Sequence, residues 1–270
     1  MATQRKPLVS IACGGTGGHF FPGVAVAREL QNQGARTSLW ISSKKIDQQS
    51  AQTVPDLKCR ELTAVGFEWL QPWKFVYAMR SAMRSVHAQM LQDCPQAVLG
   101  MGGFTAAAPV VQGKKLGALT FLHESNAKAG RANRLLSRWA DEVFVGLSQA
   151  TGYFDVKSTL NVGTPVRQSF RCAEYRFSRQ VLGFEMDKPL ILVLGGSQGA
   201  RGVNNLLMKT MYRLPEVQVL HLSGANDLDE VRKSYASRKC PSQVHAFLTE
   251  MPEAMAAATL AITRSGASSL

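Results

Sequence analysis

Short, continuously apolar runs alternate along the chain with longer stretches in which apolar residues recur at helical spacing. Runs at 8–12, 37–41, 97–99, 119–122 and 143–145 form one series, and runs at 190–194, 217–221, 243–247 and 260–263 form a second. A strand apolar on both faces is covered on both faces, which is the condition of a parallel strand beneath crossover helices. The pattern predicts repeated βαβ units: an α/β fold of two Rossmann-like domains, each with a parallel sheet. Gly163, Thr164 and Pro165 punctuate the chain between the two series, and an arginine-rich polar stretch follows, so the expected domains are residues 1–165 and 166–270.

Composition narrows the setting. A chain of 270 residues with 45% hydrophobic content can bury substantial cores. Its net charge of +12 predicts attraction to something anionic, whether nucleic acid, a phospholipid surface or a diphosphate-bearing substrate. The five cysteines are scattered without C-x-x-C or metal-type spacing, which fits a reducing cytosol. The first residues are polar and no apolar run approaches the ~20 residues of a membrane-spanning helix, so neither a signal sequence nor a span is expected and membrane contact would be peripheral. Nucleic-acid binding rests on charge alone, with no recognised motif, and is not expected.

Two glycine-rich turns carry the candidate chemistry. The first, Gly14-Gly15-Thr16-Gly17-Gly18-His19, follows the opening strand and precedes a helix expected to start near Pro22. Main-chain amides there can approach a diphosphate without side-chain obstruction, and a helix N-terminus adds partial positive charge. Phe20 stands where a dinucleotide fingerprint needs its third glycine, and the first acidic residue beyond the second strand is Asp47, so NAD is disfavoured; the lack of G-K-[ST] disfavours an ordinary P-loop. The second turn, Gly195-Gly196-Ser197-Gln198-Gly199, opens the second series in the same way, with Ser197 as a hydroxyl donor. Each turn has a bland alternative as a strand-to-helix connection without ligand.

Six segments in order make the pattern specific: GGTGGHFFPGVAVA at 14–27, GMGGFTAAAP at 100–109, HESNAKAGRANRLL at 123–136, GTPVR at 163–167, GGSQGAR at 195–201 and TRSGASSL at 263–270. Together they resemble the MurG family of UDP-GlcNAc transferases, built on the GT-B fold. The resemblance implies an inverting glycosyltransferase of peptidoglycan synthesis. It would move GlcNAc from UDP-GlcNAc to the 4-hydroxyl of an undecaprenyl-pyrophosphoryl muramyl-pentapeptide at the cytoplasmic face of the plasma membrane. It further implies that Ser197, Arg167 and the amides from Gly195 meet the donor diphosphate and that the backbone at Leu248 pairs with uracil. Ala267, Ser268, Ser269 and Leu270 would begin the segment cradling diphosphate and ribose, and Asn126 would reach the donor. Thr16, Gly17 and Gly18, with Gly102, Gly103 and Phe104, would face the acceptor.

For the base that takes the acceptor proton, His19 is the candidate, because an imidazole of ordinary pKa near ~6.5 is largely neutral at cytosolic pH. Its alternative is a turn histidine that only orients the loop. Glu124 is a second candidate, as base or as a partner orienting His19; the alternative is a buried structural His123-Glu124 pair. No D-x-D motif suits a divalent metal, so neither metal nor cofactor is expected and the leaving charge should fall to amides, a helix N-terminus and Arg167.

Between residues 66 and 84, Trp69, Trp73 and Phe75 lie beside Lys74, Arg80 and Arg84, with Met79 and Met83 following, and Pro72 suits a helix start. Such a helix can rest among anionic headgroups; its alternative is a core helix with a solvated basic face. Relative to the family pattern the sequence stops at Leu270, before a glutamate that holds ribose and a glutamine that reads the sugar. That predicts an unfinished, poorly stable second domain, weakened donor binding and impaired catalysis. Rival readings are another GT-B glycolipid synthase, a nucleotide-sugar epimerase, or an inactive membrane-associated fragment.

Overall fold

The computed structural model describes residues 6–62, 72–154, 158–195, 199–210, 216–236, 241–264 and 266. The chain divides into two compact units, one ending at Arg167 and the other beginning at Gln168. Val166 and Arg167 thus stay with the first unit, where the Arg167 guanidinium lies 4.5 Å from the centre of the Phe21 ring.

In the first unit the strands are β1 (Leu8–Ala12), β2 (Arg36–Ser42), β3 (Cys59–Leu62), β4 (Ala97–Gly100), β5 (Leu119–Glu124), β6 (Glu142–Val145) and β7 (Thr159–Asn161). Its helices are α1 (Gly17–Asn32), α2 (Lys45–Gln52), α3 (Pro72–Asp93), α4 (Ala107–Lys115) and α5 (Arg131–Leu136). All the strands pair in parallel in the order β3-β2-β1-β4-β5-β6-β7. The expected strands are present, and β3 and β7 are additions at the two edges. Alternate residues of each strand enter different cores, which is why the runs read as continuously apolar: Ala12, Trp40, Val98 and Leu122 share one cluster, Ile11, Leu39, Ile41 and Leu99 the other.

In the second unit, α6 (Ser169–Cys172) and α7 (Tyr175–Leu182) precede β8 (Leu190–Leu194), α8 (Arg201–Thr210), β9 (Gln218–Leu222), α9 (Leu228–Ala236), β10 (Ser242–His245), α10 (Met251–Ala257) and β11 (Leu260–Thr263). The sheet order is β10-β9-β8-β11, again parallel. Leu190, Leu192 and Leu194 pack with Leu220 and Ala254 on one face, and Ile191 and Val193 pack with Val219 and Val231 on the other. At ~1.5–3 kcal/mol for each large aliphatic side chain fully buried, these central strands are the main stabilising elements of the unit.

One element departs from expectation in a way that shapes the site. Helix α1 begins at Gly17, five residues before the expected start at Pro22, which lies inside it. Gly17 and Gly18 are therefore the first helical residues, while His19 N–H and Phe20 N–H both donate to the Thr16 carbonyl. The close helix-to-strand approach is made at Gly23, where a Cβ would stand 2.5 Å from Cys13 Cβ. The glycine sought at Phe20 is thus supplied one turn later.

Candidate functional site

The strand order reverses direction about β1, whose neighbours β2 and β4 continue the chain to opposite sides. In open parallel sheets the carboxyl ends of the strands at such a switch point form the ligand crevice. There the structure gathers the turn after β1, the loop after β4 and the loop after β5.

The turn after β1 is fixed by a residue 32 positions away in sequence. Gly15 N–H donates to Asp47 Oδ2 at 2.7 Å, and the same oxygen accepts from Ser42 N–H at 2.9 Å and the Ser42 hydroxyl at 2.5 Å. Gly14 is compelled by this packing, since a Cβ there would sit 2.5 Å from Ser42 N; Gly15 is compelled by its φ of +111°. With the Gly15 donor spent on Asp47, the N–H groups of Gly17 and Gly18 remain without intrahelical partners at the start of α1, as the first amides of any helix do.

His19 projects from that first turn. Its Nδ1 lies 3.3 Å from the Thr16 hydroxyl, and its other edge faces the β4 loop, where a Cβ on Gly102 would stand 3.0 Å from Nε2. Gly102 and Gly103 have φ of +113° and +72°, so glycine is needed there both for backbone conformation and for the ring's approach. Phe104 follows, 46% exposed at the rim. Burial holds the His19 pKa below its ordinary value; Glu124, Asp47 and the Gly14 backbone pull the other way, and His123 adds to the lowering. The imidazole is neutral at neutral pH and able to accept a proton.

Glu124, at the end of β5, has another task. Its Oε1 accepts from Asn126 N–H at 2.9 Å and Asn126 Nδ2 at 2.8 Å, and its Oε2 accepts from Gly130 N–H at 2.9 Å and Asn133 Nδ2 at 3.0 Å. A carboxylate with four donors folds the 125–130 loop around itself and offers no ready site for a substrate proton. The geometry therefore corrects the reading of Glu124 as a base in favour of a structural role. His123 beside it is buried too, as the alternative of a buried structural pair had it, but each side chain has its own partners: the His123 ring turns to the Gly163 carbonyl at 2.9 Å and the Ser125 hydroxyl at 3.2 Å, and burial lowers its pKa. Asn126 is exposed, its amide nitrogen tied to Glu124. Sequence reasoning passed over Asn133 and read Asp47 only against a dinucleotide fingerprint.

In the second unit Ser197 lies outside the described residues, but both ends of its turn are in place. A Cβ on Gly195 would stand 2.6 Å from Ala200 N, and one on Gly199, at φ +77°, would stand 2.4 Å from the Ser223 carbonyl. Behind the turn runs a buried polar chain. Asn204 Nδ2 donates to the Ser223 carbonyl at 2.9 Å and to Asp227 at 2.7 Å, while its Oδ1 lies 2.9 Å from His221 Nε2. An amide oxygen only accepts, so Nε2 carries the proton and Nδ1 accepts from the Tyr235 hydroxyl at 3.2 Å. Burial depresses the His221 pKa to about 4, so this ring is neutral and structural.

Leu248 has its side chain in the core between β8 and α10, leaving only its main chain for recognition. Arg167 is described through its stacking on Phe21. Ala267, Ser268, Ser269, Leu270 and Trp69 lie outside the described residues, and so do the side chains of Trp73 and Phe75. Along the rest of α3, Tyr77 is 78% exposed and Arg80 and Arg84 are exposed on the same face, whereas Ala82, Val86 and Met90 face the core. Met83 packs inward, its sulfur accepting from Gln112 at 3.4 Å, and so is removed from the expected outward group. Among the described residues no helix is long and apolar enough to cross a membrane, and no cluster of three His, Cys, Asp or Glu residues could hold a metal.

Comparison with known proteins shows the family. Residues 9–145 match the glycosyltransferase family 28 N-terminal domain and residues 190–270 its C-terminal domain. The UDP-N-acetylglucosamine–N-acetylmuramyl-(pentapeptide) pyrophosphoryl-undecaprenol N-acetylglucosamine transferase of Vibrio cholerae is 36% identical over 99% of the chain and 74% of the relative. The protein of the same name from Citrifermentans bemidjiense is 32% identical over 96% of the chain and 74% of the relative. Among solved structures, Acinetobacter baumannii MurG superposes with a TM-score of 0.69 at 26% identity, over 98% of this chain and 74% of that one. A UDP-GlcNAc 2-epimerase from Neisseria meningitidis reaches 0.67 at 14% identity over 96% and 78%, which shows a shared fold.

Proposed function

Since the chain belongs to the MurG family within glycosyltransferase family 28, with both domain models matched in order, we propose that it transfers GlcNAc from UDP-GlcNAc to the 4-hydroxyl of undecaprenyl-pyrophosphoryl-MurNAc-pentapeptide. The observation that carries the reading is the meeting of a neutral, half-buried His19 with two glycine-rich turns at the switch point of the first sheet. Such a site suits a hydroxyl that must lose its proton beside an anionic diphosphate.

The chemistry is a single in-line displacement. The acceptor O4 forms a bond to the anomeric carbon of GlcNAc as the bond from that carbon to the diphosphate oxygen breaks; the hydroxyl proton passes to His19 Nε2 and UDP leaves with the electron pair. In this reading Thr16, Gly17, Gly18, Gly102, Gly103 and Phe104 hold the acceptor. The turn from Gly195 through Ser197 to Gly199, with the start of α8, meets the donor diphosphate. Arg167, Asn126, the Leu248 main chain and residues 267–270 complete the donor contacts. No metal is assigned a part, since main-chain amides and a helix N-terminus supply the countercharge. Radiolabelled UDP-GlcNAc offered with muramyl-pentapeptide lipid, with diacylglycerol, or alone separates the readings. Label in the muramyl lipid alone is expected; label in diacylglycerol or an isomerised donor would replace the assignment.

The acceptor is lipid-linked, so the protein must work at a membrane surface, and we place its contact on the outer face of α3 at the cytoplasmic side. Tyr77, Arg80 and Arg84, at spacings of three and four, supply an aromatic anchor and two cations to anionic headgroups. Reversing both charges, Arg80→Glu with Arg84→Glu, should weaken sedimentation with anionic liposomes about tenfold or more, each cation near such a surface contributing ~1 kcal/mol. Undiminished binding by the double variant would move the contact elsewhere.

A further inference from the structure

We propose that Asp47 is a positioning residue for the His19 base, acting through the single peptide unit that joins Gly14 to Gly15. The inference rests on the reading of His19 as the base and adds the group that orients and polarises it. The elements lie side by side. Asp47, wholly buried on α2, takes the Gly15 N–H at 2.7 Å. The carbonyl of that same peptide belongs to Gly14 and lies on the side of the ring that carries Nδ1: a Cβ on Gly103 would stand 3.8 Å from the Gly14 oxygen and 3.6 Å from His19 Nδ1. The Nδ1 edge of the ring faces this turn, 3.3 Å from Thr16 Oγ1, and the Nε2 edge faces Gly102.

The Thr16 hydroxyl beside Nδ1 can donate or accept and so fixes no tautomer, whereas a carbonyl only accepts; a polarised Gly14 carbonyl therefore favours the proton on Nδ1 and leaves the Nε2 lone pair for substrate. A carboxylate pulling on one end of a peptide enhances the dipole at the other end, because hydrogen bonds in a chain polarise one another. The outcome is the one a carboxylate gives by touching an imidazole directly, with one peptide interposed. The groups facing His19 are Asp47 from α2, Glu124 and His123 from β5, and the uncharged Gly102–Gly103 loop after β4. Glu124 has its four donors, whereas Asp47 concentrates three donors on Oδ2 and leaves Oδ1 with no partner. That asymmetry makes Asp47→Asn an informative change. The amide oxygen can replace Oδ2 toward its donors, while the NH2 takes the buried place of Oδ1, where nothing accepts from it; the change removes the charge and also costs stability, so its effect is read beside Ser42→Ala.

Two variants read the coupling with opposite signs. In protein labelled with 15N-histidine, the His19 signals, identified by their loss in His19→Gln, should report the Nδ1-protonated tautomer. Asp47→Asn should mix the tautomers and move the His19 titration to lower pH. Ser42→Ala removes the hydroxyl that shares the charge of Oδ2, so it should move the titration to higher pH. A His19 titration and tautomer unchanged in both variants would overturn the proposal, and neither observation depends on turnover. In the transfer assay Asp47→Asn should lower kcat about tenfold without altering KM for UDP-GlcNAc, and should add nothing in a His19→Gln background. Independent, multiplicative losses would sink the positioning role. Full kcat in His19→Gln with the NMR coupling intact would instead remove His19 as the base and leave the Asp47–His19 link standing.

Discussion

Replacing His19 with glutamine should reduce kcat for GlcNAc transfer by ~10²–10⁴, the range a positioned general base contributes, while KM for UDP-GlcNAc stays nearly constant. The split follows from when the residue acts. A base takes its proton as the bond to the anomeric carbon forms, so its loss raises the transition state and leaves ground-state binding alone. Burial lowers the His19 pKa below its ordinary value of 6.5, so the wild-type acid limb should lie below that pH, with the rate falling as the ring protonates. In His19→Gln that limb should vanish. The alternative, a histidine that only orients the Gly102–Gly103 loop, predicts a raised acceptor KM and a persistent acid limb. Free imidazole added to His19→Ala restores turnover only if the ring itself handles the proton. A pH profile unchanged by the substitution would end the claim.

Much of this geometry was legible before the structure because it is written locally. The central strands β1, β4 and β8 are short apolar runs bounded by glycine, and they are buried on both faces as such runs must be. The edge strands β3 and β7 were not legible. Cys59-Arg60-Glu61-Leu62 and Thr159-Leu160-Asn161 have one open side and carry polar residues, so neither shows the apolar run that marks a central strand. Helix α1 was read as starting at Pro22 because proline favours a first turn, but the glycines before it turn into the helix earlier and carry His19 into the site.

The same division holds for side chains. His19 stands inside a recognisable turn, so its candidacy could be read directly. The partners of Glu124 include Gly130 and Asn133, which only the folding of the 125–130 loop brings back to it, so a carboxylate saturated by donors looked like an available base. Asp47 depends on β2 lying beside β1, a parallel pairing that brings the end of one strand to the turn after the other. A contact made across strands leaves no spacing rule in the sequence. What could have drawn attention to Asp47 is its place just after a strand adjacent to a glycine turn.

The second large effect lies away from the site, at Arg179. Its side chain is fully buried between α7, α10 and the approach to β8, and all of its described acceptors are neutral. Nε donates to the Ala257 carbonyl at 3.1 Å, Nη2 to the Thr259 hydroxyl at 3.1 Å, and Nη1 to the carbonyls of Glu185, Met186 and Lys188. A guanidinium does not deprotonate, so this charge stays and is solvated by main-chain dipoles. Arg179→Met fills a comparable volume with an apolar chain and strands those acceptors, at a cost of roughly 3–5 kcal/mol, a large fraction of a domain's stability. All four tryptophans precede residue 168, so hydrogen exchange is the suitable measurement. Amides of β8 and β9 should lose protection by ~10²–10³ while those of β1 and β4 keep theirs. Arg179 holds the start of β8, whereas the donor turn follows its other end, so any lost UDP-GlcNAc binding should return when a stabilising osmolyte refolds the unit. Binding that stays weak once β8 is protected again would mean that Arg179 acts on the donor turn itself.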